Sequence, residues 1–102
     1  IELITTAETI TAAEAEKYGL VNKVVEGDVV EAAKELARKI LSKGSYAVSY
    51  AKAAIHYGLQ TDIETGNAYE ASAFGLCFGN PEQREGMTAF LEKRKPNFKG
   101  SK

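Results

Sequence analysis

Apolar residues in this chain recur at spacings of three and four, and capping residues punctuate them. Thr11-Ala12-Ala13-Glu14 has the form of a capping box, and Gly19 stands where a short helix would close. Asp28 opens a second helix, whose apolar positions Val29, Val30, Ala33, Leu36, Ala37, Ile40 and Leu41 keep helical spacing until Gly44 ends it. Ser45 is placed to cap a third, with Ala47, Tyr50, Ala51, Ala54 and Ile55 on one face and Gly58 at its end. Thr61-Asp62-Ile63-Glu64 starts a fourth, running toward Gly79. Asn80 as N-cap and Pro81 at the first helical position start a fifth, which Pro96 is expected to stop. Between the first two helices, Leu20-Val21-Asn22-Lys23-Val24-Val25 is a short β-branched segment, extended or half-buried. Almost no alternating period appears. The pattern predicts an all-α fold of about five helices, in one domain covering residues 1–102.

Two helices carry more than a fold signal. The fourth holds Gly66 and Gly75 in its interior, each costing up to about 1 kcal/mol against Ala, so either a close helix approach or a loosened helix is expected there. Its C-terminal half, with Phe74, Leu76, Cys77 and Phe78, is apolar nearly all round and needs cover from the fifth helix or from another chain. On the fifth, Met87, Phe90, Leu91 and the stem of Arg94 share one stripe, and Lys93 edges it one turn beyond Phe90. Glu82 and Glu85 lie toward the positive end of the helix dipole and Lys93, Arg94 and Lys95 toward the negative end. A stripe edged by cations can pack on protein and still offer charge to an anion.

Charge sharpens this picture. Residues 1–79 hold 7 Lys/Arg against 11 Asp/Glu, whereas residues 80–102 hold 6 against 3, so a basic tail follows an acidic body within a net charge of −1. Such a tail fits an anionic partner, or dipole compensation and solubility alone. The single Cys77 allows no intrachain disulfide and suits a reducing compartment. No stretch approaches the roughly 20 apolar residues of a membrane span. Ile1, not Met, opens the sequence, so a fragment or processed piece is expected.

A self-contained reaction centre is not expected. The sequence has no glycine-rich phosphate loop, no metal-ligand cluster and no nucleophile–His–acid set. His56, between Ile55 and Tyr57, reads as structural or solvent-facing, and Cys77 as a small core residue. The carboxylate pairs Glu31/Glu35 and Glu82/Glu85 are explained by a solvated face and by the helix dipole. Phe90 with Lys93 is different: a flat apolar ring beside a cation can receive a purine and a nearby phosphate, and Phe74 and Phe78 add aromatic surface. The competing reading makes the rings core and the lysines solvent-exposed.

The run Arg84-Glu85-Gly86-Met87-Thr88-Ala89-Phe90-Leu91-Glu92-Lys93-Arg94-Lys95-Pro96-Asn97-Phe98 resembles the C-terminal signature of the crotonase (enoyl-CoA hydratase/isomerase) superfamily. Ile10-Thr11-Ala12-Ala13-Glu14-Ala15 with Tyr18-Gly19-Leu20-Val21-Asn22-Lys23-Val24-Val25 resembles that family's I-S-A-x-E-A … G-L-V-N-x-V segment. Order and spacing match over essentially the whole chain, most closely to short-chain enoyl-CoA hydratases, including 3-hydroxybutyryl-CoA dehydratases. The resemblance implies the C-terminal helical domain of the crotonase fold. In the family, an upstream spiral domain carries the oxyanion-hole N–H groups and two catalytic glutamates. That region would precede Ile1, so no catalytic residue is expected here, and the chain alone is expected to be inactive as a hydratase.

What the resemblance does imply is binding and assembly. Phe74, Phe90 and Lys93 fall where family members hold coenzyme A, the lysine on phosphate and the phenylalanines along adenine or pantetheine. Arg94 and Lys95 are helpers at most. Expected partners are an acyl-CoA thioester, the N-terminal domain and neighbouring subunits of a trimer or dimer of trimers, with no nucleic acid and no membrane. Coenzyme A enters as part of the substrate, with no other cofactor and no metal, in a bacterial-type cytoplasm or another reducing compartment. A stand-alone helical interaction module is the alternative. So is the same segment of an isomerase, a thioester hydrolase or a dihydroxynaphthoyl-CoA synthase.

Overall fold

The computed structural model describes residues 1–98; Lys99 and Lys102, counted in the basic tail, lie outside them. Six α-helices follow one another, and no strand occurs among the described residues: α1 (Glu2–Thr6), α2 (Ala12–Lys17), α3 (Val29–Leu41), α4 (Ser45–Gly58), α5 (Ile63–Cys77) and α6 (Pro81–Leu91). The fold is all-α, as the spacing implies. The helix count is one higher because α1 has no apolar period to announce it. Its Ile4, Thr5 and Thr6 are poor helix formers, and the Thr5 and Thr6 hydroxyls donate back to the carbonyls of Ile1 and Glu2 at 2.9–3.1 Å.

The chain divides into two compact units, Ile1–Glu35 and 36–102. In the first, the capping box forms in full: Thr11 Oγ1 accepts from the Glu14 N–H at 3.2 Å, and Glu14 Oε2 accepts from the Thr11 N–H at 2.8 Å. These bonds hold the Glu14 carboxyl below the usual range. Gly19, at φ +77°, ends α2 in a Schellman turn, with its N–H on Glu16 C=O and that of Leu20 on Ala15 C=O. Val24 and Val25 are half-buried without forming a strand. Asp28 caps α3 through one oxygen, which accepts from the N–H groups of Val30 and Glu31 at 2.9 and 3.3 Å.

In the second unit α4 packs against α5. Two glycines let them come close: a Cβ at Gly66 would lie 3.4 Å from Gly58 Cα. Beside this crossing Tyr57 stacks on Tyr69 with centroids 4.5 Å apart. Gly66 is thus a close-approach glycine, while a Cβ at Gly75 would meet nothing within 4 Å. Asp62 caps α5, accepting from the Thr65 N–H at 2.9 Å and its hydroxyl at 2.7 Å, and these bonds lower its carboxyl from 3.8 to about 2. α5 stops at Cys77, just short of Gly79.

Two boundaries correct the sequence reading. α3 ends at Leu41, and Gly44 is the N-cap of α4 instead of its predecessor's terminator. Ser45 therefore does not cap; it is the first helical residue, and the cap comes from a residue far along the chain. Glu82 of α6 accepts from the Tyr46 N–H at 3.1 Å and from Ser45 Oγ at 2.9 Å. Gly44 leaves room for that carboxylate, since a Cβ there would sit 3.0 Å from Glu82 Oε2.

The buried apolar residues are small. Ala73 and Ala89, at 7 % and 1 % exposure, are the buried hydrophobics among the described residues, while Ile55, Leu59, Ile63, Phe74, Leu76 and Phe78 are exposed. The apolar half of α5 is indeed left in need of cover. The apolar face of α4 lines a groove with α5 of about 700 Å³, walled by Ala47, Ala51, Ala54, Ile55, Ala73 and Phe74 among others.

Candidate functional site

The end of α6 differs from the sequence reading, and the difference shapes the candidate site. Asn80 caps the helix through the Glu82 N–H at 2.9 Å, with Pro81 behind it. The helix then ends at Leu91, well before Pro96, so Lys93, Arg94 and Lys95 are not on it. Its exit is a Schellman turn: the Lys93 N–H donates to Phe90 C=O at 3.2 Å, and the Arg94 N–H donates to Ala89 C=O at 3.0 Å. Lys93 takes the left-handed position of that turn, at φ +53°.

A single carboxylate explains the early stop. Glu85, on the middle of α6, accepts from Arg94 Nη1 at 2.6 Å, Arg94 Nη2 at 3.1 Å and the Asn97 N–H at 2.7 Å. Reaching it requires residues 92–98 to turn back along the helix, which a continuous helix to Pro96 would forbid. Phe98 completes the return: its ring atoms lie 3.7 Å from where a Cβ of Gly44 or of Gly86 would be. The Arg94 bonds first, then that of Asn97, pull the Glu85 carboxyl from 4.5 down to about 2. Bonds to Glu85 and then Glu92 push the Arg94 guanidinium above its ordinary value.

The basic edge seen in the sequence therefore sorts into two kinds of cation. Arg94 is spent on Glu85 and Glu92. Lys93 and Lys95 are exposed, and their ammonium groups meet no carboxylate among the described residues. Phe90 projects into solvent at 79 % exposure, one turn-closing hydrogen bond from Lys93. The stripe of Met87, Phe90 and Leu91 is likewise exposed, so these side chains form no core in this chain. Phe74 stands elsewhere: it rests edge-on against Phe78, with centroids 5.2 Å apart, and lines the α4–α5 groove, which neither Phe90 nor Lys93 lines. The structure thus joins Phe90 and Lys93 through one backbone hydrogen bond and leaves Phe74 in a separate groove.

His56 is exposed in the last turn of α4. Cys77 is half-buried, with its Sγ 3.5 Å from Ala73 C=O. Glu31 pairs with Lys34 on the exposed face of α3. Sequence reasoning missed the roles of Glu82 and Glu85, which it assigned to the helix dipole. No local pattern announces that Glu85 clasps Arg94 and Asn97, or that Glu82 caps a helix 36 residues upstream.

The family model described as enoyl-CoA hydratase/isomerase matches residues 1–101. The chain belongs to the enoyl-CoA hydratase/isomerase family. It is 54 % identical over 98 residues to a crotonyl-CoA hydratase of Syntrophomonas wolfei, covering 95 % of this chain and 38 % of that protein. It is 52 % identical over 95 residues to a short-chain-enoyl-CoA hydratase of Clostridium acetobutylicum, covering 92 % of this chain and 36 % of the relative. The crystal structure of an enoyl-CoA hydratase from Bacillus anthracis superposes with a TM-score of 0.90 at 45 % identity, over 97 % of this chain and 39 % of that one. The six helices are those of the C-terminal helical domain of the crotonase fold. The chain spans somewhat over a third of the length of these family members. Among the described residues, no helix is long and apolar enough to cross a membrane.

Proposed function

We propose that this chain is the coenzyme A-holding and assembly segment of a short-chain enoyl-CoA hydratase, which adds water reversibly across the α,β double bond of a trans-2-enoyl-CoA. One observation carries the reading. Of the cations after α6 among the described residues, Arg94 is neutralised, whereas Lys93 and Lys95 meet no carboxylate, and Lys93 sits on a fixed turn whose backbone is bonded to that of the exposed Phe90. A phosphate on the lysine with an apolar or purine surface on the ring uses both groups. Phe74, in its separate groove, takes a second apolar part of the same ligand or of the subunit that completes the site. Names of the relatives, crotonyl-CoA hydratase and short-chain-enoyl-CoA hydratase, support this substrate class.

In such an enzyme the water and proton are handled by paired glutamates, and the thioester oxygen is held by backbone N–H groups as enolate charge develops. Those groups belong to the part of the relatives' length that this chain does not span. The exposed apolar faces of α4 and α5 are the surfaces that meet that part and neighbouring subunits, as a trimer or dimer of trimers. The free thiol of Cys77 suits a reducing compartment such as a bacterial cytoplasm.

Lys93→Ala tests the site in the complete hydratase. Removing one exposed charge contact is worth up to about 1 kcal/mol, so KM for crotonyl-CoA should rise about fivefold. The lost contact is remote from the reacting bond, so kcat should change less than about twofold. An unchanged KM removes Lys93 from the ligand site.

A further inference from the structure

Among the described residues two Schellman turns have the same form, and they differ in the residue at the left-handed position. α2 uses Gly19, at φ +77°, and α6 uses Lys93, at φ +53°. Glycine adopts that conformation freely, while a residue with a Cβ is disfavoured there; Ala7 also takes it, at φ +52° at the end of α1, and the turn after α6 has in addition a tie from outside itself. Glu85 provides it. Its carboxylate binds the residue just after the lysine, through both terminal nitrogens of Arg94, and then the Asn97 N–H three residues on. The turn after α2 has no comparable carboxylate: beyond its two backbone bonds, Glu16 Oε1 accepts from the Val24 N–H at 3.3 Å. Among the described residues Lys93 itself is fixed only through the backbone, and its ammonium meets no carboxylate there.

We propose that Glu85 is a positioning residue for acyl-CoA binding, holding the Lys93 turn beside Phe90 by clasping Arg94 and Asn97. Glu85 does not touch the ligand; its carboxylate is filled by three donors from its own chain. Arg94 serves the same end from the other side, as the counter-ion that draws the turn down on α6. The inference rests on the coenzyme A reading of Lys93, and the experiment separates the two.

KM and kcat for crotonyl-CoA are measured in the complete hydratase for Glu85→Gln, Lys93→Ala and the double variant. The Asn97 amide resonance and its exchange are followed in this chain. Glu85→Gln keeps an acceptor and removes the charge, so KM should rise about threefold with kcat nearly unchanged, and the Asn97 amide should lose protection. The double variant should bind no worse than Lys93→Ala alone, because Glu85 acts through the lysine. If Glu85→Gln leaves KM unchanged while Lys93→Ala raises it, the positioning role is overturned and the ligand site stands. If the two effects multiply, Glu85 acts by another route and the proposal also fails. If Lys93→Ala has no effect, the coenzyme A reading itself falls. Should Glu85→Gln fold poorly, Arg94→Gln cuts the same clasp from its other end and is judged by the same outcomes.

Discussion

Helices α4 and α5 meet through Gly58, Gly66 and a pair of stacked tyrosines, and leave Ile55, Leu59, Ile63 and Phe74 open to solvent. Helix α6 and the seven residues after it are tied together by one carboxylate, two caps and a phenylalanine lying over two glycines. The first region is specified by apolar contact and is short of it. The second is specified by directional polar bonds, and it closes on itself. Non-directional burial stabilises only where enough surface is covered, whereas a filled carboxylate fixes geometry locally. A binding turn is therefore best built in the second manner, and an assembly surface in the first.

The contrast breaks most visibly in solution. If the α4–α5 faces are assembly surfaces, the isolated chain should self-associate, with a sedimentation coefficient that climbs with concentration. A folded monomer at all concentrations would show that these faces need no partner. Next in size is Gly66→Val, which forces side-chain atoms against the Gly58 backbone and should cost about 1–3 kcal/mol in urea or thermal unfolding. Gly75→Ala is its control. A Cβ there meets nothing within 4 Å, so the substitution should stabilise α5 by up to about 1 kcal/mol.

Acid separates the two regions more gently. The folded-state carboxyls of Glu85 and Asp62 stand at about 2, below their ordinary 4.5 and 3.8. Depressed values mean that the stability they contribute is present above the ordinary values and is lost as pH falls toward about 2. In an NMR titration the Asn97 amide should shift in that window, while Tyr57 and Tyr69, stacked without a titrating carboxylate, should move less. An Asn97 amide that ignores acid would mean that Glu85 does not hold it.

Much of this was legible beforehand, and the reason is local. Thr11 with Glu14, Asp28, Asp62 and Asn80 each satisfy N–H groups within three residues, so the starts of α2, α3, α5 and α6 could be read from their own neighbourhoods. The Gly19 turn was legible for the same reason. Ser45 failed that logic because a better acceptor, Glu82, arrives from 37 residues away. Pro96 failed as a stop because Glu85 captures Arg94 first.

The candidate site follows the same division. That Phe90 and Lys93 are neighbours was written in their spacing; that they sit on a turn, and not on one helix face, was not. Which of the three cations is spent was also beyond the sequence, since Lys93, Arg94 and Lys95 are equivalent charges until one of them meets Glu85. By itself the sequence determined the helical class, most helix starts and the family, all of which depend on periodicity, short-range capping and motif order. Only the tertiary structure decided where α6 ends, which charges are spent and which apolar faces stay uncovered. Those depend on which groups meet across long stretches of chain, and no local pattern records that.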